Sequence, residues 1–370
     1  MKRIGNAFKG ILGGFVFLII GIILLWWNEG NNVKNLKTTA EMDRVVVDVK
    51  SDKVDSANEG KLVATYGQLI NEEELTDDTF NVTIKTPIMK RVVEVYQWEE
   101  HSDTDEDGHT TYSYNKVWDS DIIDSGNFHD KNKVNPKTKL YEDETYTSKD
   151  VKVGAFSLTS NQINTLSTSE YYNSFDIEKA TSLNLNVSNT YLTTSKNLSN
   201  PAIGDTRISF VYNNTTDASV LAVQSGNTFV DFVSSAGKRI NRVMDGVHSG
   251  HEMINVIKKE NNFIKWLLRF IGVLLLIGGF AAILKPISAV TSYIPLLGSV
   301  VGAAVGLVSL LLGLALGCII IAIAWIRWRP VLGISLLAIA AVAIVLLIMR
   351  GKKAKKPETN QPPVTEQPQQ

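Results

Sequence analysis

Two stretches of this 370-residue chain carry side chains of the kind that hold metals. The first is the acidic run 99–108, in which Asp103, Asp105 and Asp107 alternate with other residues. Repeated carboxylate oxygens suit a hard cation such as Ca²⁺, but the EF-hand pattern fails because no glutamate is correctly placed after Gly108. A solvated hairpin tip between two β-type segments accounts for the run more simply. The second stretch holds His248 and His251. Two imidazoles three apart can begin a zinc site, yet no third ligand is evident. Ser249 and Glu252 overlap them as a capping box, so a helix start in a polar turn explains the pair better. The single cysteine, Cys318, lies in an apolar run, which excludes disulfides and zinc–thiolate sites from the polar part of the chain. There is no nucleophile elbow, HExxH, Walker loop or dinucleotide fingerprint. Glu94, Asp119 and Asp121 could meet in space, but their spacing does not show it. The sequence therefore assigns no catalytic residue, metal or cofactor.

The elements that would position any site are dominated by four apolar runs, 11–27, 270–284, 296–326 and 330–349. A helix of about 17–25 apolar residues crosses a bilayer. Trp266, Leu267 and Leu268 extend the second run to 263–284, with Lys265 and Arg269 snorkelling to the interface. The third run exceeds what a bilayer needs and must tilt or begin in the interface. The expected fold is an α+β membrane protein with four transmembrane helices, one N-terminal and three C-terminal. A large β-rich non-cytosolic domain, 28–262, is inserted between the first and second helices. The segment 285–295 contains Pro286 and Pro295, is too apolar for an ordinary loop, and reads as a cytoplasmic interfacial hairpin. Residues 1–10 form a cytoplasmic N-terminus. Residues 350–370 are a basic and then Pro/Gln-rich disordered tail.

Charge orients this arrangement. Residues 28–263 hold 36 acidic and 24 basic side chains, whereas the remainder holds 2 acidic and 13 basic. The basic residues flank the spans, with Lys2, Arg3 and Lys9 before the first and Arg350, Lys352, Lys353, Lys355 and Lys356 after the last. By the positive-inside bias both termini are cytoplasmic, and four spans agree with that because an even number returns the chain to its starting side. Arg327 and Arg329 in the turn before the last span oppose the bias, which a tight hairpin can override. The first run ends in Trp26, Trp27, Asn28 and Glu29 without a small-x-small cleavage site, so it reads as an uncleaved signal anchor. The acidic domain and short basic tail give no nucleic-acid signature. No ionisable residue lies deep in any run, which counts against ion-coupled transport.

Within the polar domain, β-branched and aromatic residues predict strands at 44–50, 61–66, 80–84, 91–98, 112–118, 151–158, 183–187, 207–212, 220–224 and 228–232. Both faces of 91–98 are partly apolar, so Tyr96 and Trp98 are expected between layers. The period changes at Ser249, where a helix begins and continues into the second span. In the third span Gly298, Gly302, Gly306, Gly313 and Gly317 fall within an arc of about 100°, a face that permits close helix packing. The packing partner is either another span of this chain or another subunit. Cys318 lies off that arc.

Several of these segments together resemble the transmembrane protein 43 family, also called LUMA. The shared segments are Trp27, Asn28, Glu29 and Gly30 after the first span and 58–62 in the domain. They continue with 93–98, which holds Glu94, Tyr96 and Trp98, then 112–118, ending at Trp118, and 121–128. Gly204 and Asp205 open 204–210, and 293–295 completes the set. The resemblance spans nearly the full length, apart from the ends and about 173–200. It implies four spans, cytoplasmic termini, a large non-cytosolic domain and no established enzymatic activity. Animal members are associated with the endoplasmic reticulum and inner nuclear membrane, where they are thought to oligomerise and to organise membrane protein complexes, including emerin and lamins. The Lys-, Asn- and Thr-rich composition leads to the expectation of a bacterial member in the plasma (inner) membrane. A eukaryotic source would place it in the endoplasmic reticulum or inner nuclear membrane. The expected function is a non-enzymatic scaffold whose partners are the lipid bilayer, further copies of itself and other membrane proteins. An envelope sensor or receptor is the alternative, and a membrane-bound hydrolase the third reading.

Overall fold

The computed structural model describes residues 2–105, 109–291, 297–331 and 334–335, with backbone alone for 2–9, 289–291 and 297–299. The chain forms two units, one from Met1–Val33 with Asn262–Gln370 and one from Lys34–Asn261.

Three long helices supply the first unit: α1 (Lys2–Val45), α2 (Gly250–Thr291) and α3 (Leu297–Trp328). Each contains a stretch long and apolar enough to cross a membrane. The fourth expected span, 330–349, lies almost wholly outside the described residues. Leu25, Leu276 and Ile320 form the buried centre of this unit, with Leu18, Val273, Leu316 and Ile321 packed around them. Lipid supplies no hydrophobic push between helices, so close approach must come from small residues and polar contacts. Between α1 and α2 the small residues are glycines seven apart on each helix. A Cβ on Gly14 would stand 2.7 Å from the Gly279 carbonyl oxygen, and one on Gly21 would stand 3.0 Å from that of Gly272.

Two expected boundaries are corrected. Helix α1 does not stop at Trp27, because hydropathy marks the edge of an apolar zone and not the end of a hydrogen-bonded ladder. Nothing from Asn28 to Val45 breaks a helix, so α1 runs on, and the expected strand 44–50 shrinks to Val47–Asp48. Likewise Pro286 lies inside α2, which continues to Thr291. A proline removes one backbone bond and can kink a helix without ending it. The rest of the expected hairpin, with Pro295, falls outside the described residues.

The second unit is β-rich. One seven-stranded sheet contains Leu62–Asn71 and Asp217–Ser225, paired antiparallel with Ala64 opposite Leu221. The other is built on Ile88–Thr104, which pairs with Thr110–Asp119 on one edge and Thr206–Tyr212 on the other. Val63, Ile88, Val153, Phe156, Val220 and Phe229 belong to one core. Phe80, Met89, Val93, Ile208 and Phe210 belong to a second. A third core sets Met42 of α1 and Met253, Ile254 and Ile257 of α2 against Leu62, Ala64 and Leu221. The first turn of α2 is the expected capping box: Ser249 N donates to Glu252 Oε2 at 2.8 Å and Glu252 N to Ser249 Oγ at 3.4 Å.

Candidate functional site

The four residues Trp27, Asn28, Glu29 and Gly30 lie on α1 where the apolar run gives way to polar sequence. Their side chains explain why polar types occupy this place. Glu29 is 1 % exposed and receives two hydrogen bonds. Arg269 Nε of α2 donates to Oε1 at 2.6 Å, and Trp325 Nε1 of α3 donates to Oε2 at 2.9 Å. One carboxylate thus ties all three helices. Asn28 Nδ2 adds a bond to the Lys265 carbonyl of α2 at 3.0 Å. Gly30 completes the arrangement by lacking a side chain, since a Cβ there would lie 3.0 Å from Trp328 Cε2 and Cζ2. The Arg269 guanidinium also sits 4.8 Å from the Trp266 ring centre and 5.9 Å from that of Trp325. A buried carboxylate needs a paired cation and full hydrogen bonding, and Glu29 has both. Arg269 therefore turns inward, with 12 % of its side chain exposed.

The glycine face of α3 divides. Gly313 packs on Ile277, with contacts of 2.5–2.8 Å for an added Cβ, and Gly317 on Val273 at 3.0 Å. Gly302 and Gly306 have nothing within 4 Å among the described residues. The surroundings of Gly298 fall outside the described set. Cys318 is exposed.

In the β-rich unit the remaining motif residues meet on neighbouring strands. The backbones of Tyr96 and the Gly204–Asp205 turn exchange bonds: Gly204 N donates to Tyr96 O and Tyr96 N to Asp205 O, both at 2.8 Å. Gly204 has φ +94, a conformation open to glycine at little cost. Glu94 holds Arg207 through two hydrogen bonds, Nη2 to Oε1 at 2.8 Å and Nε to Oε2. That guanidinium lies 4.9 Å from the Trp118 ring centre, and the Tyr96 ring lies tilted at 46° to Trp118 with centres 5.1 Å apart. Beyond this motif, buried Asp77 accepts from Arg91 and from Tyr146, whose phenol is pushed up by burial and by Asp77.

One expectation is reversed on this sheet. Tyr96 and Trp98 occupy the half-buried face of their strand, while Val93, Val95 and Gln97 face the interior. Trp98 is covered by cations instead of a second layer, with Lys133 Nζ 4.0 Å and Lys116 Nζ 5.0 Å from its ring centre. Gln97 can sit inside because its amide bonds the Asp121 carbonyl and the Ile123 N–H.

The metal candidates stay apart. Asp103 lies in the ladder opposite Thr111, Asp105 closes the hairpin by accepting from His109 N at 2.8 Å, and Asp107 is outside the described residues. His248 Nε2 contacts the Asp245 carbonyl at 3.0 Å, whereas His251 faces Asp43 at 3.5 Å. Among the described residues no three His, Cys, Asp or Glu side chains gather as metal ligands.

The Glu29 junction and the α1–α2 glycines were hidden in the sequence by distance. The available signals were an acidic residue directly after an apolar run and a basic one inside another, together with glycines at heptad spacing in two runs.

Comparison with known proteins accords with these features. A family model described as Transmembrane protein 43 matches residues 95–330. Transmembrane protein 43 of Mus musculus is 26% identical over 367 residues, covering 94% of this chain and 91% of its own length. The Homo sapiens protein gives the same identity and coverage. The Drosophila melanogaster homolog is 27% identical over 346 residues, covering 89% and 92%. These animal relatives lend no support to a bacterial source. No solved structure matches the chain.

Proposed function

This chain belongs to the transmembrane protein 43 family, and from that premise we propose that it is a non-enzymatic scaffold that assembles with itself and with other membrane proteins. The observation that supports assembly is the divided glycine face of α3. Gly313 and Gly317 are used inside the chain, while Gly302 and Gly306 continue the same face with no described neighbour. A helix surface without side chains is what a further helix in lipid packs against. The long apolar surfaces of α1 and α2, with Phe15, Ile19, Phe263 and Phe270 exposed, suit a lipid surround. In this reading both termini are cytoplasmic, a fourth span follows α3, and the β-rich unit is non-cytosolic. The membrane concerned follows the source, and the animal relatives fit the endoplasmic reticulum or inner nuclear membrane.

Detergent-stable mass and crosslinking of the full chain test the assembly. Gly302→Leu and Gly306→Leu should abolish oligomers and leave folded monomer. Gly313→Leu should instead lower the stability of the monomer, and a bulky residue at Cys318 should do neither. Normal mass and partner recovery in both of the first two variants would remove the basis for the proposal.

A further inference from the structure

We propose that the tryptophan-rich end of the helix bundle binds the phosphate of an anionic phospholipid headgroup, with Arg329 and Trp328 as its donors. Both side chains carry a buried donor, Arg329 Nη2 and Trp328 Nε1, that finds no hydrogen-bond partner among the described residues. Buried donors are nearly always satisfied, so two together at the end of one helix call for an acceptor supplied from elsewhere. The charge nearby defines that acceptor. Lys265, Arg269, Arg327 and Arg329 belong to this unit, and Glu29 is its only carboxylate among the described residues. Both oxygens of Glu29 are already engaged, by Arg269 and Trp325. Arg269 on Glu29 and Trp328 on Gly30 bring α2 and α3 to adjacent residues of α1. Arg327 stands 4.9 Å from the Trp328 ring centre and adds to the same surface. An excess of fixed positive charge with unspent planar donors suits a phosphate, which takes several charge-assisted bonds at once.

Position selects the source of the phosphate. Trp26, Trp27 and Trp266 are 38%, 56% and 58% exposed at this end of the helices, where apolar sequence meets polar. Tryptophans occupy the headgroup level of a bilayer, so the donors lie at the depth of lipid phosphates. Gly30 lets the Trp328 indole pack directly on the α1 backbone, with the ring 3.0 Å from where a Cβ would be. This assignment is independent of which side of the membrane the end faces, and of whether the chain assembles.

The full-length protein in detergent, examined by native mass spectrometry with added phosphatidylglycerol or phosphatidylcholine, tests the site. The wild type should retain phosphatidylglycerol about tenfold better, the factor expected of one charge-assisted bond. Arg329→Gln and Trp328→Phe should each reduce that preference, and Arg239→Gln in the β-rich unit should not. Should Arg329→Gln fail to fold, Trp328→Phe decides, since it keeps an aromatic side chain and removes the donor. Thermal melting in phosphatidylglycerol against inorganic phosphate separates the sources: stabilisation by lipid alone supports the proposal. Equal stabilisation by inorganic phosphate, equal retention of the two lipids, or unchanged preference in both variants would overturn it.

Discussion

Glu29 and Arg269 are 240 positions apart in the chain, and Arg269 Nε donates to Glu29 Oε1 at 2.6 Å in the interior of the helix bundle. With the Glu29 side chain 1 % exposed, water screens little of their attraction, and neither group can be lost alone without leaving a buried charge. Glu29→Gln in the full chain should therefore cost about 3–5 kcal/mol, the usual range for breaking a buried pair. Pairing it with Arg269→Met should recover part of the loss. Thermal melting in detergent checks both, and a Glu29→Gln variant melting like the wild type would mean the pair does not hold the bundle.

The neighbouring glycines of α1 make a sharper comparison. A Cβ at Gly14 would come 2.7 Å from the Gly279 carbonyl, whereas one at Gly13 meets nothing within 4 Å. Gly14→Ala should destabilise the bundle by about 1–3 kcal/mol, the range for overpacking. Gly13→Ala, one residue away and equally favourable to the helix, should not. The same melting experiment reads both, and equal effects would contradict the packing.

In the β-rich unit, interior position and not residue size should set the cost. Phe210 is fully buried, and Phe210→Ala should cost about 3–5 kcal/mol. Trp98 is half-buried beneath Lys116 and Lys133, so Trp98→Ala should cost about 1–2 kcal/mol, mostly cation–π and surface packing. Denaturant unfolding followed by near-ultraviolet circular dichroism should rank the two in that order.

Acid should loosen the contact between the long hairpin and the 125–135 segment. Glu100 Oε2 accepts from Tyr114 Oη at 2.6 Å and from His129 N at 2.5 Å. The Tyr114 bond, the His129 N–H and nearby cations hold its carboxyl below the ordinary glutamate value. A lowered folded value means the contact is at full strength above the unfolded pKa and is lost as pH falls through the folded one. The protection factor of the His129 amide, taken relative to its intrinsic exchange at each pH, should fall across that acidic window, and Glu100→Gln should abolish that fall. A His129 amide equally protected through the window in the wild type would show that Glu100 does not carry the contact.

What the sequence revealed depended on the range of the signal. The capping box of α2 was legible because Ser249 and Glu252 are three residues apart and complete each other locally. The strand 91–98 was legible from its β-branched pattern, but its buried face was not. Tyr96 and Trp98 look more hydrophobic than Gln97, yet Gln97 goes inside because the 121–123 segment satisfies its amide. Glu29 and Arg269 each read as a polar residue near an apolar boundary. Their partnership is a product of helix packing that no local pattern encodes.

The glycines seven apart on α1 and α2 also impose an asymmetry on variation. At Gly14, Gly21, Gly272 and Gly279, an added Cβ would meet a heavy atom at 3.0 Å or less. Glycine is the smallest residue, so every amino-acid substitution at these positions adds volume and none can remove it. An overfilled leucine pocket can shrink by a compensating change of its own, but here the atoms in the way include the carbonyls of Gly272 and Gly279, which no substitution shortens. At Gly14, Gly21 and Gly279 relief has to come from separation of the helices, which also draws apart Leu25 and Leu276. Small apolar substitutions along these spans should therefore fall into two classes: silent at Gly13, where nothing stands within 4 Å, and severe at the facing glycines whose added Cβ meets a carbonyl.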